Sequence, residues 1–149
     1  MSSLVSTLEF SAALAGSLFA GAALYINVAE HPARMGLGTS AAALQWAPSY
    51  KRATWLQAPL ALVSFGCGVG AWLLGAGLYW LIAALLVGSV VPVTFVLIMP
   101  TNNSLLAPGR DLGSDETRGL LVRWGKLHAV RTVLSLCGAA IYLWALLAA

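Results

Sequence analysis

The chain has 149 residues, 60% of them hydrophobic and only 9% charged, with a formal net charge of +3. Soluble domains carry roughly 25% charged residues, so this apolar excess must face lipid or a partner. Eight Lys and Arg make no basic stripe for nucleic acid, and two cysteines, Cys67 and Cys137, make no disulfide scaffold and read as small buried apolar residues.

Four apolar stretches approach the roughly 20 residues that cross a bilayer core. They run over Phe10–Val28, Trp55–Leu74, Tyr79–Met99 and Val130–Leu147. None alternates as a barrel strand would. The expected fold is all-α: one domain over residues 1–149, an integral membrane four-helix bundle.

The first stretch has Glu9 as its only early charge and is long for a signal-peptide core, so it reads as a retained helix. Small residues recur at Ala12, Gly16 and Ala20, and again at Ala13, Ser17 and Gly21, a spacing that lets another helix come close. Packing within the chain is the default reading, and a homo-oligomer is the alternative. In the first loop, Thr39 or Ser40 can cap a short interfacial helix over Ala41–Trp46 that Pro48 ends, with Trp46 at headgroup level. Pro92 sits mid-span, which predicts an opened turn near Gly88–Pro92. The third helix then ends at Met99-Pro100. Ser114, followed by Asp115 and Glu116, predicts a capped start for the fourth helix, well before its apolar stretch.

All eight Lys and Arg fall in the first loop, in the third loop or at the start of helix four. The positive-inside rule puts that end in the cytoplasm and both termini outside, periplasmic if the membrane is a bacterial inner membrane.

Polar residues gather at the same end. Asn27 and His31 share a helix face if Pro32 does not end the helix early. Tyr50, Thr54 and Gln57 recur at helical spacing, Asn102 and Asn103 close the third helix, and Trp124, His128, Arg131 and Ser135 form one stripe on the fourth. Singly, each has an ordinary interfacial reading, and Arg131 could snorkel to the headgroups. Jointly they suggest a pocket with aromatic walls from Tyr25, Trp55 and Trp124. Two histidines with no third ligand nearby do not make a closed metal site. The alternative is a haem held by His31 and His128, or a copper- or quinone-binding subunit without catalysis of its own.

The runs Asn27-Val28-Ala29-Glu30-His31-Pro32-Ala33-Arg34 and Trp46-Ala47-Pro48-Ser49-Tyr50-Lys51-Arg52-Ala53, the string Met99-Pro100-Thr101-Asn102-Asn103, and Arg123-Trp124-Gly125-Lys126-Leu127-His128-Ala129-Val130-Arg131-Thr132 resemble the domain-of-unknown-function 1772 proteins, the anthrone oxygenase-like family. The resemblance implies four membrane spans and oxidation of polyketide anthrones to anthraquinones, with a hydrophobic substrate and no metal or other cofactor. That chemistry needs a base, a donor for an enolate oxygen and a dry pocket. His128 is the candidate base, with His31 second. Arg131, Asn102 and Asn103 are candidate oxyanion donors, and Asn27, Tyr25, Trp55 and Trp124 are candidate substrate contacts.

Overall fold

A computed structural model describes residues 3–148. The apolar runs form four helices: α1 (Ser3–Met35), α2 (Thr39–Leu73), α3 (Leu78–Leu105) and α4 (Asp115–Leu147), each long and apolar enough to cross a membrane. They run up and down in order. Each packs on its sequence neighbours, and α1 closes the ring on α4. Large apolar side chains such as Phe10, Leu62, Leu85 and Trp144 lie exposed on the outside of the bundle, where an integral membrane protein meets lipid tails.

Two connections, 36–38 and 106–114, lie at the end that carries the basic residues. The third is the tight turn after α2, where Gly75 (φ 92°) and Gly77 (φ 105°) adopt left-handed conformations that suit glycine. Ser114 caps α4 as expected: its hydroxyl accepts the Thr117 N–H at 3.2 Å, with Asp115 and Glu116 in the first turn.

Several boundaries differ from the sequence expectation. No separate interfacial helix covers Ala41–Trp46. Instead α2 runs without a break from Thr39 through Pro48 and Pro59. An interior proline costs about 3 kcal/mol, but apolar packing flanks Pro48 on both sides. Trp46 is buried rather than at headgroup level, stacks flat on Tyr50 (5.1 Å, 4°), and meets Trp124 edge-on at 5.9 Å. Nor does Met99-Pro100 end α3, which continues to Leu105. The opened turn near Pro92 is present, at Ser89. Cys137 is exposed on the outside of the bundle and Cys67 is only half-buried, so neither is the buried residue expected.

α1 and α3 each contain one π-helical turn, Ile26–Glu30 and Thr94–Ile98. A proline follows directly in each case, Pro32 and Pro100, in the first turn of the resumed α-helix, where its missing N–H is least costly. Pro32 therefore does not end α1, and Asn27 and His31 both remain on it.

The core forms layers along the bundle. Far from the basic end, Ala12, Ala13, Ala71, Trp80, Ala83, Ala84, Val87 and Tyr142 pack together. Phe19, Ala23, Ala61 and Val90 form the middle. Trp46, Ile98, Leu121 and Trp124 fill the basic end. Gly16 of the first small-residue row lies against Ser64 and Tyr142: a Cβ there would stand 2.8 Å from Ser64 Oγ. The row therefore serves packing within the chain. In the second row, Gly21 has no neighbour.

Candidate active site

His128 sits in the first half of α4 and is 1% exposed. Trp124, one turn earlier, packs against its ring at 4.9 Å. Its Nδ1 lies 2.7 Å from Asn27 Oδ1. The Asn27 amide is oriented by a second contact, since Nδ2 donates to the Gly125 carbonyl at 3.1 Å. A carbonyl only accepts, so the amide nitrogen must face Gly125 and the oxygen must face His128. Thr132 donates to the same Oδ1 at 2.5 Å. An acceptor opposite Nδ1 makes Nδ1 the protonated nitrogen of a neutral ring, and the lone pair then falls on Nε2.

Arg131 follows three residues later. Its Nη2 donates to Gln57 Oε1 at 2.9 Å, and its guanidinium lies 5.4 Å from the Phe19 ring centroid. Beside this pair is a cavity of about 130 Å³. Tyr50, Thr54, Gln57 and Arg131 line it, with Thr94 as a further polar residue, and its apolar lining includes Phe19, Phe95 and Met99. A void of about 10 Å³ shares those four polar residues and reaches Arg34, Trp124 and His128. That volume suits about one water molecule. His128 thus lies behind a polar constriction at the inner end of the cavity.

A buried ion cluster backs the histidines. Arg34 is 3% exposed and pairs with Glu30 at 2.5 Å. It also donates to Gln45 Oε1 and to Ser49 Oγ, the latter at 3.2 Å, and Ser49 donates in turn to Glu30. Arg34 Nη1 approaches His31 Nδ1 at 3.3 Å. Burying a charge near a bilayer is tolerable when partners surround it, as here. The His31 ring lies directly on the α4 backbone at Gly125, where any Cβ would collide with Nε2. Arg118 donates to the carbonyls of Leu37 and Met35 at the end of α1.

Of the candidate residues, the fold brings Asn27, His31, Trp124, His128 and Arg131 together. It separates others from them. Trp55 is 79% exposed on the bundle exterior, and Asn103 is also exposed. Tyr25, 60% exposed, lines an open groove of about 450 Å³ with Glu30 and Arg52 instead of the inner cavity. Asn102 is fully buried, but it lines neither the cavity nor the void beside Arg131, and neither atom of its side-chain amide has a partner among the described residues.

Sequence reasoning misses Arg34, Ser49 and Thr132, and it sees Gln57 only as part of a helical spacing with Tyr50 and Thr54. The available signal for Arg34 was its four-residue spacing from Glu30. For Gln57 it was a lone amide inside an apolar run. Among the described residues, no three of His, Cys, Asp and Glu come together as a metal cluster. His31 and His128, the pair considered for a metal, both pack on Trp124, and Nδ1 of each already faces a protein partner.

The profile of the family described as Anthrone oxygenase matches residues 46–141. Among curated proteins, the chain is similar to anthrone oxygenase ptaC of Pestalotiopsis fici, 34% identical over 120 residues that cover 68% of this chain and 82% of that protein. It is also similar to anthrone oxygenase tpcL of Aspergillus fumigatus, 43% identical over 72 residues, covering 45% and 44%. An anthrone oxygenase of Claviceps purpurea is 32% identical over 71 residues, covering 42% and 41%. The match thus spans less than half the length of the last two relatives. No solved structure matches the chain at a significant level. The matched segment takes in Trp46, Gln57, Trp124, His128 and Arg131, and on that match the chain belongs to the anthrone oxygenase family.

Proposed function

We propose that the protein oxidises a flat, hydrophobic anthrone-type molecule with O₂, with its own side chains handling the protons. The observation that carries this reading is the Gly125–Asn27–His128 chain of hydrogen bonds, which leaves Nε2 as a base at a void adjoining Arg131. Nε2 takes a proton from the CH₂ between the two aromatic rings through one water in that void, and the electron pair moves into the ring system as an enolate. Arg131 holds the enolate oxygen, a charge-assisted contact in a dry site. The enolate passes one electron to O₂, the two radicals combine at the former CH₂ carbon as a peroxide anion, and this takes the proton back from His128 to become a hydroperoxide. Loss of the remaining C–H proton with cleavage of the O–O bond gives the ketone and one water. The basic loops lie at the same end as the site, which supports a site facing the cytoplasmic leaflet.

The test is O₂ consumption with an anthrone in nanodiscs. His128→Ala is expected to lower turnover by about 10²–10⁴-fold, the usual range for a positioned base. Arg131→Gln is expected to lower it too, while melting temperatures move little. A fully active His128→Ala protein would reject His128 as the base.

A further inference from the structure

The proton chemistry above leaves part of the cavity unexplained. Gln57 is 2% exposed. Its Oε1 accepts from Arg131, but its Nε2 has no partner among the described residues, and neither does Arg131 Nε. Both donors are buried on residues that line one cavity, and each is costly unless something accepts from it. Neither this cavity nor its continuation has an Asp or Glu in its lining, so nothing there would attract a cationic ligand. The complement is an oxygen that accepts, a carbonyl or a phenolate.

The cavity is also too small alone. Its 130 Å³ falls below the roughly 300–1,000 Å³ typical of small-molecule pockets. A second cleft of about 240 Å³ continues it, with Ala61 and Val91 lining both. The walls of this cleft are apolar throughout: Leu62, Phe65, Gly88 and Pro92 complete the lining. It lies between α2 and α3, beside the turn at Ser89. The Phe65 ring rests on Gly88, where a Cβ would stand 2.5 Å from Cδ2. Leu62 is exposed to the lipid side.

We propose that this α2–α3 seam is one elongated ligand site, entered sideways from the bilayer. Its ligand carries an accepting oxygen at one end, held by Gln57 Nε2 and Arg131 Nε. Both side chains must turn slightly toward the cavity to reach that oxygen, since neither donor atom is open to it. At the other end it carries an apolar extension, a further ring or an alkyl chain, which lies against Phe65 and Pro92. The inference rests on the proposed function for its substrate class. Beyond that reading it assigns Gln57 as a binding residue and gives the ligand a direction.

The experiment titrates a dihydroxyanthraquinone, followed by its own visible absorbance, into nanodiscs holding wild type, Gln57→Glu or Val91→Trp. Empty nanodiscs supply the partition background, and anthracene, which lacks oxygen, is the second probe. Gln57→Glu keeps an oxygen for Arg131 and removes the amide donor. Val91→Trp fills the junction of the two clefts from the half-buried side, where a larger residue is easier to accommodate. Wild type is expected to bind the quinone saturably. Gln57→Glu should weaken quinone binding about tenfold or more and leave anthracene binding unchanged, whereas Val91→Trp should weaken both. Unchanged quinone affinity in either variant overturns the site, as does the absence of saturable binding to wild type. Quinone binding that responds to both variants, in a protein that consumes no O₂ with anthrones, keeps this site and overturns the oxygenase reading. Anthrone oxidation unaffected by both variants does the reverse.

Discussion

Around Tyr142, in the half of the bundle near the 75–77 turn, two buried hydroxyls are paired within the protein, and Ser17 Oγ is the buried side-chain atom there without a partner among the described residues. Ser64 donates to the Ala12 carbonyl at 3.0 Å, and Tyr142 donates to the Ser64 carbonyl at the same distance. Around Arg131, in the other half, Trp46 Nε1, Gln57 Nε2, Thr101 Oγ1, both Asn102 amide atoms, Trp124 Nε1 and Arg131 Nε find no partner among the described residues. The same four helices supply both regions, so helix packing alone does not impose the difference. Polar groups that serve only to hold helices together are paired within the protein. More unpaired groups gather around Arg131 than around Tyr142.

That contrast can be broken at four points. The largest effect should come from the closed half. Gly68 lies where a Cβ would run into the Tyr142 hydroxyl and stand 2.9 Å from Ala84 Cβ. Gly68→Val should destabilise the fold by about 3 kcal/mol through overpacking, seen as low yield and a depressed melting temperature in detergent. In the open half, Asn27→Leu removes the acceptor that fixes the His128 tautomer. Turnover should fall about 10–100-fold, the usual cost of losing a residue that orients a histidine. Asn27→Asp keeps an acceptor for His128 but loses the donor to the Gly125 carbonyl, and should recover part of the rate, a rescue that a purely structural role would not give. Next, Tyr142→Phe should cost about 1 kcal/mol in unfolding experiments and leave O₂ consumption unchanged, because the hydroxyl serves packing only. Smallest of all, Trp55→Ala should shift stability by no more than about 0.5 kcal/mol and leave turnover unaltered. A loss of activity there would show that the exterior of α2 takes part in the site.

The sequence made the scaffold readable where a single local cause decides the outcome. The Ser114 cap, the Ala12-Gly16-Ala20 row and the Trp124-His128-Arg131 stripe each follow from one helical period. It misled where tertiary packing overrides a local signal. Pro48 reads as a stop, but the stacked Trp46 and Tyr50 and the facing Trp124 hold α2 continuous across it. Trp55 and Tyr25 read as pocket walls because they are aromatic and lie near the correct depth. Whether an aromatic points inward depends on helix rotation, which spacing alone does not set. Arg34 reads as a loop charge because Pro32 resembles a helix end. The π turn just before it lets the helix go on and carries the guanidinium into the interior.

Those π turns bear on how such a site could arise. A π turn is an α-helix that has taken in one additional residue while its ends stay in place. One residue corresponds to about 100° of helix rotation, so everything beyond the insertion faces a new direction. In α1 the turn occupies Ile26–Glu30 and only five helical residues, His31–Met35, follow it. In α3 it occupies Thr94–Ile98 and seven follow, Met99–Leu105. Each insertion lies near the end of its helix, on the side away from the Tyr142 layer. A one-residue gain or loss at either place would re-aim His31 and Arg34, or Met99 and Asn102, and leave the packed half of the bundle in register. The chemistry at one end of this fold could therefore be retuned in single-codon steps, with the part that folds it left untouched.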